Sequence, residues 1–235
     1  MMNVLIACEE SQRVCKEFRA RGHNAYSADL QACSGGHPEW HVRGDVTWLL
    51  DGRCTFRTQD GALHDCVNNG KWDLIIAHPP CTYLTLCGTR HYSMKATPEE
   101  KVKARIIERS KAVTLFMTFV NANCDRIAIE NPMGYMTRYW RKPDQYIDPY
   151  MFADSPLDIE NYVTKRTGLW LKNLPPLVGG SLPKPEPFGR YINCRGKSKT
   201  ITWEMFVTGA TQKDRAKARS KTFPGIAKAM ATQWG

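Results

Sequence analysis

The sequence predicts an α/β fold built on an open sheet with parallel strands, and two observations predict it. Three short apolar runs rich in β-branched residues, Asn3-Val4-Leu5-Ile6-Ala7, Asp73-Leu74-Ile75-Ile76-Ala77 and Arg126-Ile127-Ala128-Ile129, read as buried parallel strands. Between the last two lies the clearest helical pattern in the chain, which serves as the crossover between neighbouring parallel strands.

The elements follow in order. Residues 3–7 form the first strand, and Ser11 to Arg21 a helix with Val14 and Phe18 on one face and Gly22 as its stop. Ala25 to Asp29 is a second strand. Residues 31–43 contain Gly35-Gly36 and Pro38 and read as loop. In 48–71, Gly52, Asp60-Gly61 and Asn69-Gly70 suggest a hairpin inserted before the third apolar strand. Thr97 as N-cap, Pro98 in the first turn and Glu100 form a capping box, opening a helix that runs to about Val120 with Val102, Ile106, Val113, Leu115, Phe116 and Phe119 apolar. The chain contains no internal repeat and no low-complexity segment.

A chain of 235 residues with 42% apolar composition suffices for one well-cored α/β domain and a small appendage. Its 33 basic and 23 acidic residues favour a polyanionic partner. From Lys184 to Lys221 there are ten Lys or Arg and three acids, with Phe188, Tyr191, Trp203 and Phe206 interleaved. Two readings stand: contacts to phosphates and bases, or a solvated basic face over a minor core. The nine cysteines include no CxxC and no Cys/His cluster at ligand spacing, so no metal is expected. Their odd number and the lack of a signal peptide suggest reduced thiols in the cytoplasm, and no apolar run is long enough for a membrane span. A monomer is expected.

Two motifs carry the chemistry. His78-Pro79-Pro80-Cys81 and Glu130-Asn131-Pro132 each follow an apolar strand, so a thiol and a carboxylate meet at one sheet edge, where open α/β sheets bind ligands. The prolines hold the backbone out of helix, and Cys81 projects from a stiff loop. The bland alternative is a small buried hydrophobe. That reading is kept for Cys8, Cys15, Cys33, Cys54, Cys66, Cys87, Cys124 and Cys194. At the other strand ends, Asp29 and Asp45 are either loop caps or ligand-binding acids, Asp29 being placed to take ribose hydroxyls.

The strand-PPC loop and the strand-ENP turn resemble the catalytic motifs of the cytosine C5 DNA methyltransferases. The resemblance implies a Rossmann-like S-adenosylmethionine-dependent methyltransferase fold with a small basic C-terminal recognition segment. It makes Cys81 the thiolate that attacks C6 of a flipped cytosine and Glu130 the group that holds N3. It assigns S-adenosyl-L-methionine as cofactor and, besides Asp29, gives Asp45 the adenine amino group and Val46 the ring; Pro80 and Thr222 join them. Val163 to Leu171 resembles the family's arginine-then-strand motif, with Arg166 at the first arginine, Gly168 where the second would be, and Lys165 beside it. The catalytic part is expected over 1–176 and 218–235, with a DNA-contacting segment over 177–217 too short for a long recognition site. The resemblance also suggests a bacteriophage genome.

Two departures stand out. The family's glycine-rich first turn is replaced by Ile6-Ala7-Cys8-Glu9-Glu10-Ser11, which has no glycine to let backbone approach a ligand. In Ser220 to Ala227, which resembles the last family motif, Lys221 stands where asparagine is usual. A cation beside a sulfonium is unfavourable unless an anion intervenes. Lys221 thus either pairs a carboxylate on carboxy-S-adenosyl-L-methionine, making carboxymethyl the transferred group, or points to DNA phosphate or solvent. RNA (tRNA) as acceptor, and a catalytically silent nucleic-acid-binding protein, are the alternatives.

Overall fold

Alternation within the apolar runs decides the architecture. In β1 (Asn3–Ala7), Val4 and Ile6 face one side of the sheet while Leu5 and Ala7 face the other, and all four are fully buried. Such a strand is stable only when both faces are covered. The computed structural model, which describes residues 1–50, 55–65, 71–95, 97–194, 196–207 and 211–235, covers both.

After β1 come α1 (Arg13–Ala20), β2 (Asn24–Asp29), β3 (His41–Arg43), β4 (Thr55–Arg57), β5 (Leu63–Asp65), β6 (Leu74–Ala77), α2 (Glu99–Val120), β7 (Ile127–Pro132), α3 (Met136–Tyr139), β8 (Gln145–Ile147) and β9 (Thr167–Lys172). They are followed by β10 (Arg190–Ile192), β11 (Ser198–Thr200), α4 (Trp203–Phe206), α5 (Gln212–Ser220) and α6 (Pro224–Trp234). A seven-stranded sheet has the order β3-β2-β1-β6-β7-β9-β8. Strands β3 to β7 in that order are mutually parallel, and β9 runs antiparallel to both its neighbours. The chain winds outward from β1 to β3, then returns to the other side of β1 with β6, so the order reverses between β1 and β6. Ligand crevices form at such reversals, beyond the carboxyl ends of the strands.

Phe116 and Phe119 of α2 cover one face with Leu5, Ile75, Ile127 and Trp170. Phe18 of α1 and Met230 and Trp234 of α6 cover the other with Val4, Ile6, Ile76 and Leu169. Each large side chain buried this way contributes about 1.5–3 kcal/mol.

Several expectations are corrected. Residues 41–43, expected in a loop, form β3: His41 is buried and its Nδ1 lies 2.8 Å from the Ser27 hydroxyl, a pairing that a three-residue strand does not advertise. The ENP motif is strand rather than turn, because Glu130, Asn131 and Pro132 pair with Leu169, Gly168 and Thr167 of β9. Helix α1 begins at Arg13 rather than Ser11. The capping box of α2 does not form: Pro98 has an extended ψ of 142° and is itself the N-cap, so Thr97 lies outside the helix. Ile106 is exposed, as the second half of α2 makes most of the core contact. The hairpin is present in β4 and β5, which pair around Asp60-Gly61. Its expected markers Gly52 and Asn69-Gly70 lie outside the described residues, as do Cys54 and Cys66. Among the described residues no helix is long and apolar enough to cross a membrane.

The stretch after Cys81 is strapped to the stretch after Glu130. Thr85 and Gly134 form a bridge, and Tyr135 N donates to the Leu84 carbonyl at 2.7 Å. A Cβ at Gly134 would overlap that carbonyl oxygen. Gly134→Ala is therefore expected to lower the unfolding free energy by about 1–3 kcal/mol in a urea titration; an unchanged midpoint would show that the strap can yield.

Candidate functional site

The register of β6 on β7 builds the site. Ile75, Ile76 and Ala77 pair with Ile127, Ala128 and Ile129, so the next step sets His78 beside Glu130. Leu74, Ile76 and Ala128 face the α1 and α6 side, and His78 and Glu130 keep that phase. His78 Nδ1 lies 3.1 Å from Glu130 Oε2, and the histidine side chain is only 8% exposed. Across the antiparallel pair Leu169 opposes Glu130, which makes Thr167 its diagonal neighbour on the same face. The Thr167 hydroxyl donates to Glu130 Oε1. Burial opposes ionisation of Glu130, but the hydrogen bond and charge of His78, the Lys165 ammonium and the Thr167 hydroxyl outweigh it and hold the pKa below the ordinary carboxylate value.

Arg166 falls one residue out of phase with Lys165 and Thr167. Its side chain is 60% exposed and its Nε meets Asp148 Oδ2 at 3.4 Å. The carboxyl of Glu130 is thus held by His78 and Thr167, with Lys165 as the nearby cation.

The other motif is fixed to this one. Asn131 Nδ2 donates to the Pro79 carbonyl at 2.7 Å in a buried contact. Pro79 is buried, Pro80 exposed and Cys81 half-buried. The Cys81 carbonyl accepts from Leu84 N at 2.9 Å and Thr85 N at 3.0 Å, which turns the chain tightly just after the thiol.

At the β1–β6 reversal, Cys8 and Gln12 take left-handed φ values of 60° and 57°, so the turn forms without glycine. The Glu9 carboxylate bends back to accept from Val14 N at 2.7 Å and Cys15 N at 3.2 Å, capping α1. Burial raises its pKa, with the charge of His78 in opposition. Glu10 is buried, neither carboxylate oxygen has a hydrogen bond, and Lys217 Nζ stands 3.5 Å away. Asp29 Oδ1 accepts from Gln31 N at 2.8 Å, and burial raises its pKa too. Asp45 Oδ1 accepts from Thr47 N and Oγ1 at 2.9 and 2.8 Å. Both are loop caps. Their charges converge on Cys8, whose thiol is pushed up to about 12 by burial first and then by Asp29 and Asp45. Val46 is buried in the α2-side core.

The C-terminal segment closes this side. Arg13 Nη1 donates to the Thr222 carbonyl at 2.8 Å, and Lys165 Nζ to the Arg219 carbonyl at 2.6 Å while lying over the rings of Trp203 and Phe223. Lys221 ends α5 between these anchors, and among the described residues no acceptor meets its ammonium. The basic segment carries the β10–β11 ribbon, whose six strand residues are all exposed. A second basic surface lies beside Cys81. Arg105 Nη2 donates to the Thr82 carbonyl at 3.2 Å and its guanidinium lies over Tyr83 and Tyr92, while that of Arg109 lies over Tyr92 and Tyr135. A groove of about 670 Å³ between Leu50, α2 and Tyr139 has no carboxylate, histidine, lysine or arginine in its lining. Among the described residues no group of three or more His, Cys, Asp or Glu could hold a metal ion.

His78, Asn131, Thr167, Glu9 and Glu10 are the site residues that sequence reasoning missed. The available signal was phase: counting twos from Ile76, Ala128 and Leu169 reaches His78, Glu130 and Thr167.

Burial also raises the Cys15 thiol. Since the thiolate is the reacting form, iodoacetamide at pH 8 is expected to spare Cys8 and Cys15 in the native protein and modify them after unfolding. Peptide mass mapping reads this, and rapid native labelling of Cys8 would contradict the buried, anion-flanked thiol.

No protein-family model matches the chain and no curated protein matches its sequence.

Proposed function

We propose that the protein is a DNA cytosine C5 methyltransferase-like enzyme using S-adenosyl-L-methionine or its carboxy derivative. The observation that carries the reading is that the Pro-Pro-Cys loop and Glu130 both follow the carboxyl ends of adjacent parallel strands, the two segments tied by the Asn131 to Pro79 hydrogen bond. A thiol and a carboxyl are what carbon alkylation of cytosine needs. Addition of the Cys81 thiolate to C6 pushes the ring electrons toward N3, where Glu130 stabilises the change, and leaves C5 as an enamine carbon. After alkyl transfer the C5 proton leaves and the C6–S bond breaks, restoring the ring and the thiol.

The crevice fits such a cofactor in charge. Glu9, Glu10, Asp29 and Asp45 gather around the β1–β6 reversal; Glu9 is engaged by Val14 and Cys15 N and Glu10 faces Lys217, so Asp29 and Asp45 are the acids offered to a cationic ligand. The cofactor when bound supplies an electrophilic carbon on sulfur. Asp29 is assigned to the ribose and Asp45 to the adenine, with Pro80 and Thr222 lining the site; Val46 supports the loop from the core. Lys221, with no acceptor among the described residues, supports a carboxylate on the transferred group.

Two basic features are available for a polyanion, the exposed β10–β11 ribbon and, beside Cys81, the half-buried Arg105 and Arg109 on aromatic rings. A two-stranded ribbon fits the major groove, and the ring-backed guanidiniums suit a phosphate backbone. Contacts of this kind favour DNA with short or relaxed sequence preference, a target base being extruded toward Cys81. Glu130 takes the base partner role with Thr167 and Lys165, and Arg166 is left to the backbone.

Nucleoside mass spectrometry of DNA from cells expressing the protein is expected to reveal a methyl or carboxymethyl deoxycytidine that disappears with Cys81→Ala. Cys81→Ser is expected to lose turnover while keeping cofactor affinity by calorimetry. Unmodified DNA alongside modified tRNA would redirect the reading to RNA; absence of cofactor binding would leave a binding protein. Lys221→Asn is expected to change a carboxymethyl product to methyl, and an unaltered product removes Lys221 from donor choice.

A further inference from the structure

His78 immediately precedes the Pro-Pro-Cys loop and has no part in the reaction as described so far. Its placement is unusual for an imidazole. The side chain is 8% exposed, Nδ1 sits on Glu130 Oε2 at 3.1 Å, and Nε2 is buried without a hydrogen bond. A buried ring nitrogen left unsatisfied costs stability, about 1–3 kcal/mol, so packing alone would favour an apolar residue here. The charged groups around the ring all bear on one question, where its proton sits. Glu9, in the loop after β1 with Glu10 adjacent, feels its charge; Glu130 contacts it from β7; and Lys165, bonded to the Arg219 carbonyl, bears on Glu130 through charge alone. The one polar contact of the ring runs from Nδ1 to Glu130 Oε2, so any proton it exchanges passes along that line.

We propose that His78 is a positioning residue that stores the proton which Glu130 delivers to N3 of the target cytosine. The inference rests on the methyltransferase reading and deepens it. As Cys81 Sγ bonds to C6, the C5–C6 pair moves to C4–C5 and the C4–N3 pair to N3. The proton passes from His78 Nδ1 to Glu130 Oε2 and through the carboxyl to N3, so Glu130 ends ionised as it began and His78 ends neutral. Once C5 is alkylated, its hydrogen leaves as a proton to water, the C–H pair forms the C5–C6 bond and expels the Cys81 thiolate from C6, and the N3 proton returns through Glu130 to His78. No oxidant or metal is involved. Thr167 holds the opposite carboxyl oxygen, so Glu130 need not rotate during the exchange. The arrangement also accounts for the outward turn of Arg166 to Asp148: with a histidine behind the carboxyl, an arginine on it is not required.

The test uses the full chain and two DNA duplexes, one with cytosine and one with 2-pyrimidinone at the target. Exchange of the C5 hydrogen in deuterated water reports addition at C6 to cytosine without any donor. 2-Pyrimidinone, lacking the amino group at C4, is the more electrophilic ring and depends less on protonation at N3; its covalent adduct with Cys81 is read by mass. His78→Asn is expected to slow cytosine exchange about a hundredfold, to abolish the fall in rate at high pH, and to leave the pyrimidinone adduct within about threefold of wild type, as a standing allowance for such variants. Equal exchange rates and pH profiles for variant and wild type would overturn the proposal. Equal losses on both duplexes would also overturn it, by making His78 merely structural. If the wild-type chain forms no adduct and exchanges no hydrogen, the methyltransferase reading itself fails.

Discussion

The in-phase alignment of β1, β6 and β7 is the constraint on which the site depends. Parallel pairing fixes Ala7, Ala77 and Ile129 at one level across three strands, so the residues that follow emerge together. One step on, His78 is carried to Glu130, and His78 N donates to the Ala7 carbonyl at 2.9 Å. A slip of one residue in β7 would turn Glu130 to the α2 face, where Phe116 and Trp170 leave no polar partner. The apolar alternation that stabilises the sheet therefore also sets the phase of the chemistry.

Beyond the strands, the backbone is held by its own polar groups rather than by regular pairing. Asn131 on the Pro79 carbonyl, Tyr135 on the Leu84 carbonyl and the bridge at Gly134 bind the Pro-Pro-Cys loop to the chain after Glu130. Two prolines supply no donors and few conformers, so little entropy is left to lose when a substrate arrives. The tie is local, and it links the two motifs that lie fifty residues apart in the sequence.

Much of this was legible before the structure. The apolar runs gave β1, β6 and the start of β7, and the helical pattern gave the body of α2, because each is dictated by local periodicity. What escaped depends on partners distant in sequence. Three residues around a buried His41 become strand only because Ser27 awaits them, and Glu130-Asn131-Pro132 extends a strand only because β9 lies alongside. The role expected of Arg166 shifted for the same reason. A motif gives the residue but the ladder gives the face, and Thr167, not Arg166, shares the face of Glu130.

The glycine-free first turn changes what the crevice can accept. A helix N-terminus at a strand reversal is ordinarily an anion site, since its free N–H groups and dipole favour negative charge. Here Glu9 already occupies the N–H groups of Val14 and Cys15, so the start of α1 is neutralised from within. Glu10 follows it, buried and without a hydrogen bond, and Asp29 and Asp45 stand at the next two strand ends. A phosphate entering this crevice would meet acids where it needs donors, whereas a cationic group would meet them with profit. Left-handed Cys8 and Gln12 reproduce the backbone path that glycine allows, at a strain of about 1–3 kcal/mol each. The turn thus forms without glycine, and the acids it carries, with Lys217 facing Glu10, make this strand edge unsuited to a phosphate.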